Sequence, residues 1–139
     1  MGKFSRSQCR EWALQFLYQA EFNGPHRPEA IERFWHHFQT EDAPPAYLLD
    51  LVSGVTSHLE ELDVFIVRYS EHWRLERMTI VDRNLLRLAI YELLYQPHIP
   101  VKVVINEAVE MAKRFGSEAS GGFVNGILDQ VRMSVGREV

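Results

Sequence analysis

Apolar residues along this chain recur at three- and four-residue steps, and no segment alternates convincingly in the two-residue rhythm of a half-buried strand. The clearest case begins at Val101. Val101, Val104, Ile105, Ala108, Ala112 and Phe115 fall on one helical face, while Lys102, Asn106, Glu110, Lys113 and Arg114 fall on the wet one. Pro100 suits the start of that helix and Gly116 suits a left-handed residue at its end. A second, shorter stripe follows in Phe123, Ile127 and Val131. Gly121, Gly122 and Gly126 lie at or inside it, and a mid-helix glycine costs roughly 1 kcal/mol relative to alanine. Packing must offset that, or the glycines admit a close backbone or ligand.

Five earlier segments carry the same period. The first starts near Ser5, which forms a capping box with Gln8, buries Cys9, Trp12, Ala13, Phe16, Leu17 and Ala20, and stops at Asn23-Gly-Pro25. The second follows Pro28 and points Ile31, Phe34, Trp35 and Phe38 inward. After the Pro44-Pro45 break, the third buries Leu48, Leu51, Val52, Val55 and Leu59. A bend at Glu60–Asp63 leads to the fourth, with Leu62, Phe65, Ile66 and Tyr69 inward. The fifth is capped by Thr79, with Asp82 completing a box three residues on, and its wide apolar surface from Leu85 to Leu94 marks it as central. Gln96-Pro97 ends it, because proline disfavours helical geometry in the residue before it. The expectation is an all-α domain of about seven helices.

At 139 residues and 46% hydrophobic, the chain has enough apolar material for one packed domain, and no apolar run reaches the length of a membrane span. The first ten residues contain no secretory signal, and one cysteine, Cys9, fits a reducing cytoplasm. Net charge is −4, which argues against a strongly basic nucleic-acid wrapper. The charge is uneven, however: Lys3, Arg6 and Arg10 all precede the first acidic residue, Glu11. Such an arm suits an interaction surface.

Catalytic arrangements do not emerge. His36 and His37 point about 100° apart on a helix and cannot chelate a metal from one face. Glu107 and Glu110 stand near Lys113 and Arg114 and read as surface ion pairs. The glycine-rich stretch 116–122 lacks the Lys-Ser/Thr ending of a phosphate loop, and Cys9 lies on a buried stripe without a base. No enzyme, cofactor or metal site is expected. Nucleic-acid contact is better supported. Arg6 and Arg10 share a helical face in the first turns, where cations oppose the helix dipole, so removing both should leave stability nearly unchanged. Guanidinium groups bind phosphates, and aromatics such as Tyr18, Phe115 and Phe123 can stack unpaired bases. Phe115 and Phe123 fit apolar stripes equally well, so the residues alone leave core and platform both open.

Ile105-Asn-Glu-Ala-Val-Glu-Met-Ala-Lys-Arg-Phe-Gly116 followed by Phe123-Val-Asn-Gly-Ile-Leu-Asp129 closely resembles the carboxy-terminal signature of the NusB family of bacterial transcription antitermination factors. Cys9 to Tyr18 resembles the family's first helix, and Trp73-x-Leu75-x-Arg77 with Asp82 to Leu93 resembles its central segment. The stretch from Pro25 to Leu62 matches only in helical pattern. The resemblance implies two small antiparallel bundles, about 1–75 and 76–139, packed as one domain. It implies a factor that binds boxA-type single-stranded RNA with the ribosomal protein NusE, acting on the transcribing RNA polymerase complex only indirectly. Lys3, Arg6, Arg10, Tyr18, Lys113, Phe115, Ser117, Ser120 and Phe123 are then expected on the RNA side. Tyr69, Trp73, Glu76 and Asp82 are expected to meet NusE, although Trp73 fits a core anchor equally well. Relatives carry consecutive arginines in the arm, whereas Ser7 follows Arg6 here, which implies weaker autonomous RNA binding. Two alternatives remain open. One is a helical adaptor without RNA contact, or a homodimer that hides the RNA face. The other is the NusB-like accessory domain of an RNA cytosine methyltransferase, although no Rossmann-type glycine motif lies within these residues.

Overall fold

A computed structural model describes residues 4–23, 27, 30–38, 40, 42–71 and 74–137. The described residues form seven α-helices and no strand: α1 (Arg6–Phe22), α2 (Ile31–His36), α3 (Ala46–Ser57), α4 (Leu59–Tyr69), α5 (Ile80–Tyr95), α6 (Val101–Phe115) and α7 (Ser120–Ser134). A 3-10 turn, Leu75–Arg77, leads into α5. The all-α expectation therefore holds.

Local chemistry accounts for most of the boundaries. Ser5 accepts from the Gln8 amide while the Gln8 side chain accepts from the Ser5 amide, so the capping box on α1 is complete. On α5 only half of the expected box forms. Thr79 Oγ1 accepts from the Asp82 amide at 3.1 Å, but the Asp82 side chain does not return the bond. Gly116 closes α6 at φ −100° and ψ −164°, an extended conformation rather than the left-handed one expected. The break between α3 and α4 falls at His58, two residues before the expected bend, which places Leu59 at the start of α4.

One continuous core runs through the molecule, and α5 lies in its middle. Helix α5 packs against α1, α3, α4, α6 and α7. Leu85, Leu86 and Ile90 are fully buried along it, which explains its unusually wide apolar surface. Gly54 of α3 is where α5 approaches closely. A Cβ there would stand 2.1 Å from the Tyr91 ring, so only glycine fits. Phe38, expected in the core, is 39% exposed beyond the end of α2, although its ring still leans on Trp12, Phe34 and Trp35.

Candidate nucleic-acid interface

The amino-terminal arm meets the start of α6 across a polar groove. Ser5, Arg6, Ser7, Arg10, Asn106 and Glu107 line it, with Pro100 and Val103 as its apolar edge. Arg6 is exposed, and its guanidinium lies 5.4 Å from the centre of the Tyr47 ring. That contact orients the side chain while leaving its charge in solvent.

Arg10 is different. It is 3% exposed, and its Nε and Nη2 each donate to the Glu92 carboxylate at 2.9 Å while Nη1 donates to Glu107 at 2.7 Å. Tyr47 Oη donates to the same Glu92 carboxylate, and Ser7 Oγ donates to Glu107. Burial opposes the Arg10 charge, but the Glu92 hydrogen bonds and the nearby carboxylates outweigh it and hold the guanidinium above its ordinary value. Burial, with the adjacent Glu92 charge, pushes the Tyr47 phenol far above the usual range. Arg10 is therefore not an available phosphate ligand. The same helical face that holds Arg6 in water carries Arg10 under α5 and α6, where two carboxylates take its donors. The expectation that both arginines could be removed without loss of stability fails for Arg10. Sequence spacing did place Arg10 next to the buried Cys9 and Ala13, and Glu92 inside an otherwise apolar run. Those two signals together point to a buried pair.

The far end of α6 carries the aromatic part of the surface. Phe115 is 47% exposed, so it is not the core residue its stripe allowed. The Arg114 guanidinium sits 4.8 Å from its ring centre and also pairs with Glu11 of α1, tying the end of α6 to the first helix. Lys113 is exposed and pairs loosely with Glu110 at 3.6 Å. Glu107, expected to pair on this surface, turns instead to Arg10. Tyr18 is 40% exposed on α1 with Phe22 5.4 Å away, and Phe123 is half-buried on α7. Ser117 is exposed. Ser120 is 1% exposed and its Oγ accepts from the Ser117 amide at 2.9 Å, so it builds the loop and does not face a ligand.

Between that loop and the start of α5 lies a cavity of about 210 Å³, bounded by Arg77, Met78, Thr79, Asp82, Ser117 and Phe123 among others. Asp82 is 7% exposed and its Oδ1 has no hydrogen-bond partner, which is uncommon for a buried carboxylate. Asp82 was expected to meet NusE together with Tyr69, Trp73 and Glu76. It lines this cavity at the start of α5. Glu76 is exposed on the 3-10 turn and Tyr69 is half-buried at the end of α4. Lys3 and Trp73 lie outside the described residues.

Helices α1, α6 and α7 thus carry an exposed arginine and lysine, the exposed rings of Tyr18 and Phe115 and the half-buried ring of Phe123, residue types suited to unpaired nucleic acid. Comparisons with known proteins show what the chain is similar to. The sequence model of the NusB family matches residues 7–133. The chain is similar to the transcription antitermination protein NusB of Myxococcus xanthus, 47% identical over 137 residues that cover 96% of this chain and 98% of that protein. It is similar to the solved structure of Thermotoga maritima NusB, with TM-score 0.81 and 41% identity over 95% of this chain and 93% of that one. It also resembles a solved structure of the antitermination factors NusB and NusE in complex with dsRNA, with TM-score 0.80 and 27% identity over 93% and 96% of the two chains.

Proposed function

The chain belongs to the NusB family, and we propose that it is a transcription antitermination factor binding boxA-type single-stranded RNA together with the ribosomal protein NusE. Proteins of this family are transcription factors rather than enzymes. The observation that carries the RNA side of this reading is the exposed set on α1, α6 and α7: Arg6, Tyr18, Lys113, Phe115 and the accessible part of Phe123. Rings open to solvent beside cations favour splayed, stackable bases over a closed duplex, whose bases are already stacked. The partner side rests on the relative solved with NusE and RNA. Exposed Glu76, half-buried Tyr69 and Asp82 in the wall of the cavity are its candidate contacts on this chain.

The arm offers few charges once Arg10 is engaged by Glu92 and Glu107. Each phosphate contact on a single strand contributes about 0.7 to the salt slope, so this surface alone supports modest affinity, and NusE supplies the remainder. No helix among the described residues is long and apolar enough to cross a membrane. The proposal places the protein in the bacterial cytoplasm, acting on nascent ribosomal RNA and reaching RNA polymerase through its partners.

The decisive experiment is a titration of boxA-like single-stranded RNA, a scrambled strand and the corresponding duplex, with and without NusE, at several salt concentrations. NusE should tighten binding to the boxA strand by about tenfold to a hundredfold, equivalent to about 1–3 kcal/mol of coupling. Equal affinity for all three RNAs, or no effect of NusE, overturns the proposal.

A further inference from the structure

The outer face of α1 carries no exposed acid along its last two turns. Its exposed residues there are Gln15, Tyr18, Gln19, Phe22 and Asn23. Glu21, the acid in that stretch, turns the other way and is held by Arg83 and Asn84 of α5. In a chain of net charge −4, a face without exposed carboxylates is a path along which a polyanion meets no repulsion.

That face leads into a cleft of about 250 Å³ between the end of α1 and α2. Arg27, Arg33 and His37 line it and are exposed, Gln19 and Asn23 contribute their amides, and Phe34 lies in its floor. Among the described residues neither arginine has a carboxylate partner. Glu32, the exposed acid of α2, does not line the cleft. Two guanidinium groups held beside one concave site without a counter-charge repel each other, and an anion seated between them relieves that repulsion.

The occupant follows from what the cleft adjoins. Tyr18, a candidate stacking ring, stands 5.4 Å from the ring of Phe22, and Gln19 borders the cleft one residue further along. From Tyr18 to Asn23 is about 7.5 Å along the helix axis at about 1.5 Å per residue. A strand stacked on Tyr18 therefore reaches the cleft by passing over Phe22, a second exposed ring. The amides donate and accept, which suits ribose hydroxyls and base edges, and the arginines suit the phosphates between them. An acidic protein segment would satisfy the arginines but leave Tyr18 and Phe22 without a stacking partner.

We propose that the cleft between α1 and α2 is a second phosphate-binding site, which takes up the single-stranded RNA flanking the boxA element through Arg27 and Arg33. The inference rests on the RNA-binding reading given above and extends the path of that RNA beyond Tyr18.

The test uses the full chain with NusE and three RNAs: a bare boxA-like strand, the same strand with a short uridine tract added at its 5′ end, and one with the tract at its 3′ end. One of the two extended strands should bind about tenfold more tightly than the bare strand at low salt, and its salt slope should be steeper by about 1.4, at about 0.7 for each arginine. Combining Arg27→Ala with Arg33→Ala should remove both gains while leaving the affinity for the bare strand and the midpoint of unfolding unchanged, which a merely structural role would not do. Gln19→Glu, which keeps both arginines and sets a negative charge at the cleft, should also reduce the gain. No gain from either extension in the wild type, or a gain that survives the double variant, overturns the cleft while leaving RNA binding in place. Equal losses for bare and extended strands overturn it as well. Loss of NusE binding by the double variant, with the extension gain intact, overturns it in favour of a protein occupant. Failure of the wild type to bind the bare strand with NusE present overturns the RNA reading and the cleft together.

Discussion

Arg10 of α1 and Glu92 of α5 form a forked ion pair, Nε and Nη2 each 2.9 Å from a carboxylate oxygen, with the two side chains 3% and 2% exposed. The pair joins the helix that bears the candidate RNA arm to the central helix of the core. Glu107 adds a third contact from α6, so Arg10 holds three helices together beneath Arg6. Arg10 is thereby a positioning residue for the arm.

The two arginines of the arm should therefore separate cleanly. Arg10→Ala leaves Glu92 charged, buried and short of its main partner, and should lower unfolding stability by about 3–5 kcal/mol. Arg6→Ala removes an exposed side chain and should change stability by less than about 1 kcal/mol. Its effect belongs to RNA, where the salt slope should fall by about 0.7. Urea unfolding and RNA titration over a salt series measure both. If the arginines behave alike, the structural distinction drawn between them is wrong.

Helix α3 depends on a single missing methyl group. Gly54→Ala would place a Cβ 2.1 Å from the Tyr91 ring, whose hydroxyl is held by Asp50 at 3.0 Å and cannot swing away freely. Overpacking of this kind should cost about 1–3 kcal/mol. Gly122→Ala on α7 meets nothing within 4 Å and should be neutral or slightly stabilising, because alanine favours the helix. Thermal unfolding of the two variants checks the contrast.

Periodicity made most of this fold legible, because each helix buries one face and exposes the other. The stripe of α6 from Val101 to Ala112 is buried as its spacing required, and Lys102, Asn106 and Glu110 are exposed. Period fails where a residue's fate depends on a distant partner. Arg10 looked wet because it is charged, yet Glu92, 82 residues away, admits it to the core. Phe115 looked buried because it continued a stripe, yet it stands at the last turn, where the core has ended and Arg114 covers the ring instead. Asp82 looked like a capping residue, and only the structure reveals that its Oδ1 is buried without a hydrogen-bond partner. The resemblance to NusB named candidate residues for the two surfaces. It could not say which of their side chains face outward.

Acid should loosen the junction of α1 and α5 at a defined pH. Hydrogen bonds from Arg83, acting against burial and aided by Asn84 and Arg87, hold the Glu21 carboxyl at about 2 against an ordinary value of 4.5. A carboxyl that is more acidic in the folded state stabilises fully above its unfolded value and progressively less as protons bind. The contribution should thus be intact above pH 4.5 and decline as pH falls towards 2. Its full size is up to about 3 kcal/mol. Glu21→Gln should be less stable than wild type at neutral pH, and the gap should narrow across that interval in a series of unfolding curves.

Phe115 and Phe123 test which parts of the aromatic surface touch RNA and which support the fold. Phe115 is 47% exposed at the end of α6, so Phe115→Ala removes little buried area and should leave the midpoint of unfolding nearly unchanged. If bases stack on it, RNA affinity should fall by about 1–3 kcal/mol. Phe123 is half-buried and packs against the core while also lining the Asp82 cavity. Phe123→Ala should therefore cost both properties: about 1–3 kcal/mol of stability, below the 3–5 typical of a fully buried phenylalanine, and a comparable loss in binding. Phe123→Leu restores much of the apolar volume but not the ring face, so it should recover stability without recovering RNA affinity. Recovery of both by leucine would mean that Phe123 acts on RNA only through the shape of the loop, and the stacking role would fall to Phe115 and Tyr18.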